Sequence, residues 1–304
     1  MKAPIVVFVY NRADHAKRLL TSLSKCPEAK ESKLYIFSDG PKNEKVAEKV
    51  EQVREYIRSD AIKEWFGEVE VVEAPQNQGL ANSVISGVNN VIGKHGNVIV
   101  VEDDNVVSED FLDYMNRGLE FYRDNQKIWA LGGYTLPITF PADYKHDVFV
   151  MGWGSSYAWA TWKDRWEKID WEIRDYKTFI KDKKQVKAFN KTGCDRTEML
   201  MSQMEGRIDS WAIRFTYNAF KNDMLFVLPK ETLVSNGGND GSGVHVSSAD
   251  TRFDTEINEN KGKVRFENVE LDARIEKAVA QIFRRPLMLR WKKKIRKLLK
   301  RGKK

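Results

Sequence analysis

Three consecutive carboxylates follow the apolar run at residues 98–101, and no other part of the sequence is better suited to chemistry. They are Glu102, Asp103 and Asp104. Carboxylates clustered at the end of a buried strand repel one another unless they share a cation, and hard oxygen ligands suit Mg²⁺ or Mn²⁺. Metals of this kind usually hold a substrate phosphate. The residues also leave open a plainer interpretation, which is a solvated acidic turn.

Strands and helices alternate through the first 125 residues and must position this segment. Apolar runs predict strands at 4–10, 33–38, 69–73 and 98–101, and amphipathic spacing predicts helices at 14–25, 44–58 and 80–92. Ser108 is the predicted N-cap of the next helix. This alternation predicts an α/β fold with a mostly parallel, open sheet flanked by helices.

The carboxyl ends of the predicted strands should carry the site, because open sheets of this type bind ligands there. A polar segment follows each strand: Tyr10-Asn11-Arg12, Ser38-Asp39-Gly40, Asn77-Gln78-Gly79 and Glu102-Asp103-Asp104. The first strand is not followed by Gly-x-Gly-x-x-Gly, and the sequence contains no Walker loop. Dinucleotide binding and P-loop chemistry therefore lose their main support.

The second half of the chain is rich in aromatic residues, beginning after Met151. Five tryptophans lie within 19 residues: Trp153, Trp159, Trp162, Trp166 and Trp171. They can form flat walls for a sugar ring or, equally, an aromatic core. A helix at 196–204 and a strand at 224–228 are predicted next, and the glycine-rich segment 235–245 is predicted to be a mobile loop.

Composition limits the classes of partner. The formal net charge is +7, but residues 284–304 contain 12 Lys and Arg and no acid, so the remainder is mildly acidic. A nucleic-acid partner is therefore not expected, since such a protein would carry basic charge across its folded surface. Two cysteines, Cys26 and Cys194, suggest a reducing compartment. We expect neither a signal peptide nor a transmembrane span.

The basic tail has apolar residues at helical spacing: Leu287, Trp291, Ile295, Leu298 and Leu299. A basic amphipathic helix is predicted to lie on an anionic membrane surface. A solvated disordered tail and a contact with nucleic acid are the alternatives.

These motifs resemble those of the GT-A fold glycosyltransferases, in particular family 2-like bacterial sugar transferases, over about residues 3–245. The acidic segment is also similar to the metal motif of the N-acetylglucosaminyltransferase I group. The resemblance implies a Rossmann-like sheet with an acceptor-side half, and the basic C-terminal helix predicted from spacing follows this fold. It further implies that Glu102, Asp104 and His245 bind Mn²⁺ or Mg²⁺.

The resemblance also assigns the donor and the base. The residues implied to bind the nucleotide-sugar are Tyr10, Asn11, Arg12, Asp39, Asn77, Gly79 and Asp103. Asp209-Ser210-Trp211, with Arg214 behind it, is similar to the Asp-x-Trp segment that supplies the catalytic base of inverting members. A base must lie near the acceptor hydroxyl and be partly desolvated. A helix N-cap is the other interpretation of Asp209.

The implied domain plan places nucleotide-sugar binding in residues 1–125 and the acceptor-binding, catalytic half in 126–250. An extension at 251–283 and the tail at 284–304 follow. We expect an inverting, metal-dependent transfer from a UDP-linked sugar to a glycan or lipid-linked acceptor in bacterial surface polysaccharide synthesis. The expected location is the cytoplasmic face of the cell membrane. The alternatives are a non-catalytic sugar- or nucleotide-binding module and, third, a sugar nucleotidyltransferase.

Overall fold

The computed structural model describes residues 2–191, 193–237, 251–259 and 263–283, and an eight-stranded sheet lies at its centre. Eight strands form this sheet and two form a separate pair: β1 Ile5–Val9, β2 Lys33–Ser38, β3 Glu68–Glu73, β4 Asn97–Glu102, β5 Asn105–Val107, β6 Ile128–Gly132, β7 Val148–Met151, β8 Trp159–Trp162, β9 Leu225–Pro229 and β10 Val234–Asn236.

Helices occupy most of the connections between the strands. They are α1 Ala13–Ser24, α2 Glu44–Ile57, α3 Asp60–Trp65, α4 Leu80–His95, α5 Phe111–Phe121, α6 Lys163–Trp166, α7 Tyr176–Phe179, α8 Lys183–Phe189, α9 Arg196–Met204, α10 Trp211–Lys221 and α11 Ala273–Ile282.

The strand order of the large sheet is β3-β2-β1-β4-β8-β6-β9-β7. The first four strands are parallel neighbours, and β6 is parallel to β9. Strands β8 and β7 run antiparallel to their neighbours. The predicted α/β fold with a mostly parallel sheet is therefore confirmed. Strand β8 pairs with both β4 and β6, so one sheet contains strands from both halves of the chain.

Helices cover both faces of the sheet, which explains why its central strands are apolar throughout. All five residues of β1 are buried. Ile5, Val7 and Val9 face a core shared with α1, α2 and α5. Val6 and Phe8 face a second core, which is formed with α4 and α10. The alternation follows from the two-residue period of a strand.

Most of the aromatic segment forms core rather than an exposed wall. Trp159, Trp162 and Trp166 are 1%, 4% and 3% exposed, so the core interpretation is correct for these three. The rings of Trp159 and Trp166 join those of Trp211 and Phe215 in a packed cluster; Trp159 and Trp211, for example, have ring centroids 5.1 Å apart. The aromatic residues here fix α10 against the sheet.

The predicted N-cap at Ser108 is wrong. Helix α5 begins at Phe111, and Asp110 is the residue that precedes it. The Ser108 hydroxyl is buried and has no hydrogen-bond partner among the described residues. Instead, the Ser108 carbonyl accepts a hydrogen bond from the Phe111 N–H at 3.1 Å. The chain makes one further turn before the helix starts, which the spacing of polar residues did not reveal.

Helix α11 is the last described element, and residues 284–304 of the predicted membrane-binding tail lie outside the described residues. The buried face of α11, which includes Ile275 and Val279, packs on the core shared with α1, α2 and α5. Within the described ranges, no helix is both long and apolar enough to cross a membrane.

Candidate active site

The carboxyl ends of β3, β2, β1 and β4 lie side by side at one edge of the sheet, because these strands are parallel neighbours. The polar segments predicted from the sequence follow these ends and therefore converge. At the end of β1, the Tyr10 hydroxyl accepts a hydrogen bond from the Lys42 backbone N–H at 3.2 Å. Asn11 follows it and is half-buried.

Asp39 organises the turn between β3 and α4. One of its carboxylate oxygens accepts the backbone N–H groups of Gly40 and Gln78, both at 2.8 Å. The other accepts the Asn77 side-chain amide at 2.9 Å and the Gly79 N–H at 3.2 Å. Asp39, Asn77 and Gly79 therefore lie together at the carboxyl edge, where the positions of their segments after the strands predicted them. The hydrogen bonds to Asp39 fix the shape of the turn. Their contacts with a nucleotide stay a prediction.

Two glycines permit this turn. A Cβ on Gly40 would lie 2.4 Å from the backbone carbon of Gln76, so only glycine allows the two segments to approach. Gly79 has φ +79° and ψ 155°, a region that other residues rarely adopt. A Cβ on Gly79 would also lie 3.3 Å from Asp209 Oδ2. The turn therefore passes directly beside the predicted base.

Arg12 contacts two of the three clustered carboxylates. Its Nη2 donates to Asp103 Oδ1 and lies 3.4 Å from Asp104 Oδ2, and its Nε lies 3.4 Å from Asp103 Oδ2. Burial acts to lower the pKa of Arg12, but the charges and hydrogen bonds of Asp103 and then Asp104 outweigh it and raise the pKa. Burial raises the pKa of Asp103, while Arg12 acts in the opposite direction. Arg12 was predicted only as a nucleotide contact, so its place in the acidic motif is additional.

Glu102 points into the protein and is held by Trp211. The indole N–H of Trp211 donates to Glu102 Oε1 at 3.2 Å. Burial, followed by the charges of Asp104 and Asp103, raises the pKa of Glu102 to about 8. The hydrogen bond links the acidic motif to the start of α10, where Asp209 lies two residues before Trp211.

Asp209 lies beside the first turn of α4 rather than capping its own helix. Ser210 caps α10 by accepting the Ile213 N–H at 3.3 Å, so the N-cap interpretation of Asp209 is wrong for that helix. Asp209 Oδ2 instead accepts the Ala81 N–H at 3.3 Å, and Arg214 lies 3.8 Å from Asp209 Oδ1. The side chain is 56% exposed, which is more than the partial desolvation expected of a base.

The acidic motif can hold a metal only with help from other ligands. The part of the chain that the structure describes contains no group of three or more His, Cys, Asp or Glu side chains placed to hold a metal ion. Asp103 is engaged by Arg12, and Glu102, which is half-buried, accepts a hydrogen bond from Trp211. Among the described residues, the Asp104 side chain has one long polar contact, with Arg12, and it is 19% exposed. One carboxylate fits Mg²⁺ or Mn²⁺ that is bound mainly through substrate phosphates and water.

His245, the predicted third metal ligand, lies outside the described residues. The chain leading to it is anchored at the site, since β10 pairs antiparallel with β5 directly after the acidic motif. The Gly237 N–H donates to the Asp104 carbonyl at 2.7 Å. His245 lies eight positions after Gly237, and an extended chain of eight residues spans at most about 29 Å.

Two residues that support the site were missed by the sequence prediction. Arg54 on α2 donates from Nη2 to the Ala74 carbonyl at 2.7 Å and so ties α2 to the end of β3. Gln203 on α9 accepts the Ser210 N–H at 2.6 Å and fixes the segment that carries Asp209. Neither lies in a recognisable motif. Both are ordinary polar residues of amphipathic helices, so the sequence offered no signal for them.

An open α/β sheet with an acidic motif at its carboxyl edge is the arrangement of the GT-A glycosyltransferases. The chain belongs to glycosyl transferase family 2, whose family model matches residues 5–202. No curated protein matches this chain in sequence.

Several solved structures resemble this chain at low sequence identity. TarS 1-349 from S. aureus in complex with UDP-GlcNAc has a TM-score of 0.44 and 15% identity, over 81% of this chain and 62% of that one. A second S. aureus TarS structure has a TM-score of 0.42 and 13% identity, over 77% and 36%. The mannosyltransferase PcManGT from Pyrobaculum calidifontis, in complex with GDP-Man and Mn²⁺, has a TM-score of 0.36 and 12% identity, over 54% and 45%. This chain spans less than two thirds of each.

Proposed function

We propose that this glycosyltransferase is inverting and metal-dependent, and that it transfers a sugar from a UDP-linked donor to a hydroxyl group. The observation that carries the proposal is the hydrogen bond from Trp211 to Glu102. Together with the contact between Asp209 and Ala81, it puts an accessible carboxylate beside both the acidic motif and the Asp39 turn. A base and a charged donor site are the two parts that this reaction needs.

On the donor side, the proposal assigns the uracil and ribose to the ends of β1 and β2 and to the turn before α4. Asp104, with Glu102 and His245, would hold Mn²⁺ or Mg²⁺, which offsets the charge of the departing diphosphate when bound. The proposed donor-binding and metal-binding residues that the structure describes all lie at the carboxyl edge of the sheet, and this supports the assignment.

On the acceptor side, Asp209 takes the proton of the attacking hydroxyl. The acceptor oxygen forms a bond to the anomeric carbon on the face opposite the diphosphate, and the bond from that carbon to the diphosphate oxygen breaks. The new linkage therefore has the inverted configuration. The 56% exposure of Asp209 leaves room for an acceptor to approach.

For the acceptor itself, we propose a glycan or a lipid-linked glycan at the cytoplasmic face of the membrane, in bacterial surface polysaccharide synthesis. The basic residues of 284–304 support this, because they would be attracted to anionic lipid. Peripheral binding would keep the site close to an acceptor embedded in the bilayer.

The proposal is tested by nucleotide release from a panel of UDP-sugars and GDP-sugars, each with Mn²⁺ or with EDTA, in the presence and absence of glycan acceptors. We expect release from one UDP-sugar that disappears with EDTA. Binding of UDP without any release, across every donor and acceptor, would instead favour the non-catalytic sugar- or nucleotide-binding module.

A further inference from the structure

One cation already lies within the acidic motif. Arg12 contacts Asp103 through both Nη2 and Nε, and it contacts Asp104 only through Nη2, at 3.4 Å. The Asp103 side chain is 7% exposed, and that of Asp104 is 19% exposed. The two carboxylates are therefore held very differently by one guanidinium group.

We propose that Arg12 is a positioning residue that acts as the internal counter-cation of the motif: it holds Asp103 at all times and contacts Asp104 only until a metal binds. This inference rests on the proposed metal-dependent function. It divides the three acids by role, with Glu102 fixed by Trp211, Asp103 fixed by Arg12 and Asp104 free to change partners.

Physical chemistry supports this division. Arginine stays charged, and its planar group suits a two-point contact with one carboxylate. Removing Arg12 would leave the buried charge of Asp103 uncompensated, which is strongly unfavourable. The single long contact to Asp104 costs little to break, because that carboxylate is more exposed. Asp104 is thus the carboxylate that a metal can take over.

The same arrangement predicts how the metal enters. A positive charge close to Asp104 opposes the binding of a bare divalent cation at ordinary protein distances. A cation that arrives with a diphosphate carries compensating negative charge and meets less opposition. Arg12 therefore favours joint binding of metal and donor over binding of the metal alone.

Variants that remove the two charges singly and together test the proposal. Arg12→Gln removes the opposing charge and frees Asp103, so it should tighten the binding of Mn²⁺ alone by about tenfold. Asp103→Asn leaves Arg12 to pair with Asp104 and should weaken that binding by a similar factor. The double variant should return close to the wild type, and Arg12→Lys, which keeps the charge, should stay within about threefold of it.

The measurement is the free Mn²⁺ signal in electron paramagnetic resonance during titration of each protein, without donor and then with UDP. Circular dichroism confirms that each variant is folded, and Arg123→Gln, an exposed residue that pairs with Glu120, is the control. A merely structural role predicts weaker binding in all the site variants, and that result, or unchanged binding in Arg12→Gln, would overturn the proposal.

The test also separates this inference from the proposed function. If the wild type binds Mn²⁺ with UDP but the variants do not follow the predicted order, only the role of Arg12 fails. If no variant and no wild-type protein binds Mn²⁺, with or without UDP, both fail together.

Discussion

At the scale of single residues, the site depends on what each carboxylate touches rather than on how many there are. Glu102 accepts a hydrogen bond from Trp211, Asp103 is held by Arg12, and the Asp104 side chain is more exposed than that of Asp103. The sequence identified all three as a group, because consecutive acids after an apolar strand are conspicuous. The sequence could not show that the three acids differ in their contacts, because those contacts come from Trp211 and Arg12, which are distant in sequence.

Asp209 is predicted to be the base, so Asp209→Asn should lower kcat by about 10²–10⁴-fold and leave the donor KM nearly unchanged. The amide keeps the shape of the side chain but cannot accept the proton. Steady-state nucleotide release in the presence of acceptor checks this. Asp223→Asn, at a side chain that is 92% exposed, should behave as the wild type. An Asp209→Asn enzyme with full kcat would remove Asp209 from the mechanism.

At the scale of elements, the sequence predicted the first half of the fold better than the second. Strand β2 has the predicted bounds, and the helix predicted at 80–92 extends to His95. Strand β2 is a short apolar run, and α4 keeps helical spacing over 16 residues, so both were visible. Helix α3 and strands β7 and β8 were missed, because they are short and no distinct hydrophobic period marks them in the sequence. Their pairing depends on tertiary packing.

The turn before α4 should be sensitive to Gly79→Ala. The positive φ and the close approach to Asp209 predict a loss of about 1–3 kcal/mol in the free energy of unfolding, together with a lower kcat. Gly93→Ala in the same helix, where a Cβ meets nothing within 4 Å, should stabilise the protein by up to about 1 kcal/mol. Urea unfolding of both variants measures the contrast; equal stability would show that the turn is not constrained.

The end of β3 should make stability depend on pH. Glu73 accepts hydrogen bonds from Arg58 at 2.7 and 2.6 Å, and these hydrogen bonds are the main reason why its pKa is lowered. A lowered carboxyl pKa stabilises the fold above the usual pKa of about 4.5, and this stability is lost as the pH falls through the folded value.

Glu73→Gln should therefore lower the free energy of unfolding by about 1 kcal/mol at pH 7 and leave it unchanged in strong acid. Urea unfolding at pH 7 and pH 3 measures both values. Glu64→Gln, at an exposed position of α3, is the control. The change in the free energy of unfolding that it causes, relative to the wild type, should be the same at both pH values. A Glu73→Gln deficit that is as large at pH 3 as at pH 7 would mean that the ion pair is not its source.

At the scale of the whole molecule, one sheet joins the predicted donor and acceptor halves through β8. The basic charge lies at the far end of the sequence, in residues 284–304. A chain that ends at residue 283 should therefore lose most of its pelleting with anionic vesicles while keeping its turnover of soluble substrates. Neutral phosphatidylcholine vesicles are the control. Full pelleting of the shortened chain would place membrane binding elsewhere.

The central claim is metal-dependent transfer at Asp104, and nucleotide release by Asp104→Ala tests it most directly. The measurement compares this variant with the wild type and with Glu109→Gln, an exposed acid five residues later, with Mn²⁺ and with EDTA. We predict that the wild type and Glu109→Gln release nucleotide only with the metal, and that Asp104→Ala is at least about 100-fold slower. Undiminished release by Asp104→Ala, or release that survives EDTA in the wild type, would contradict the account.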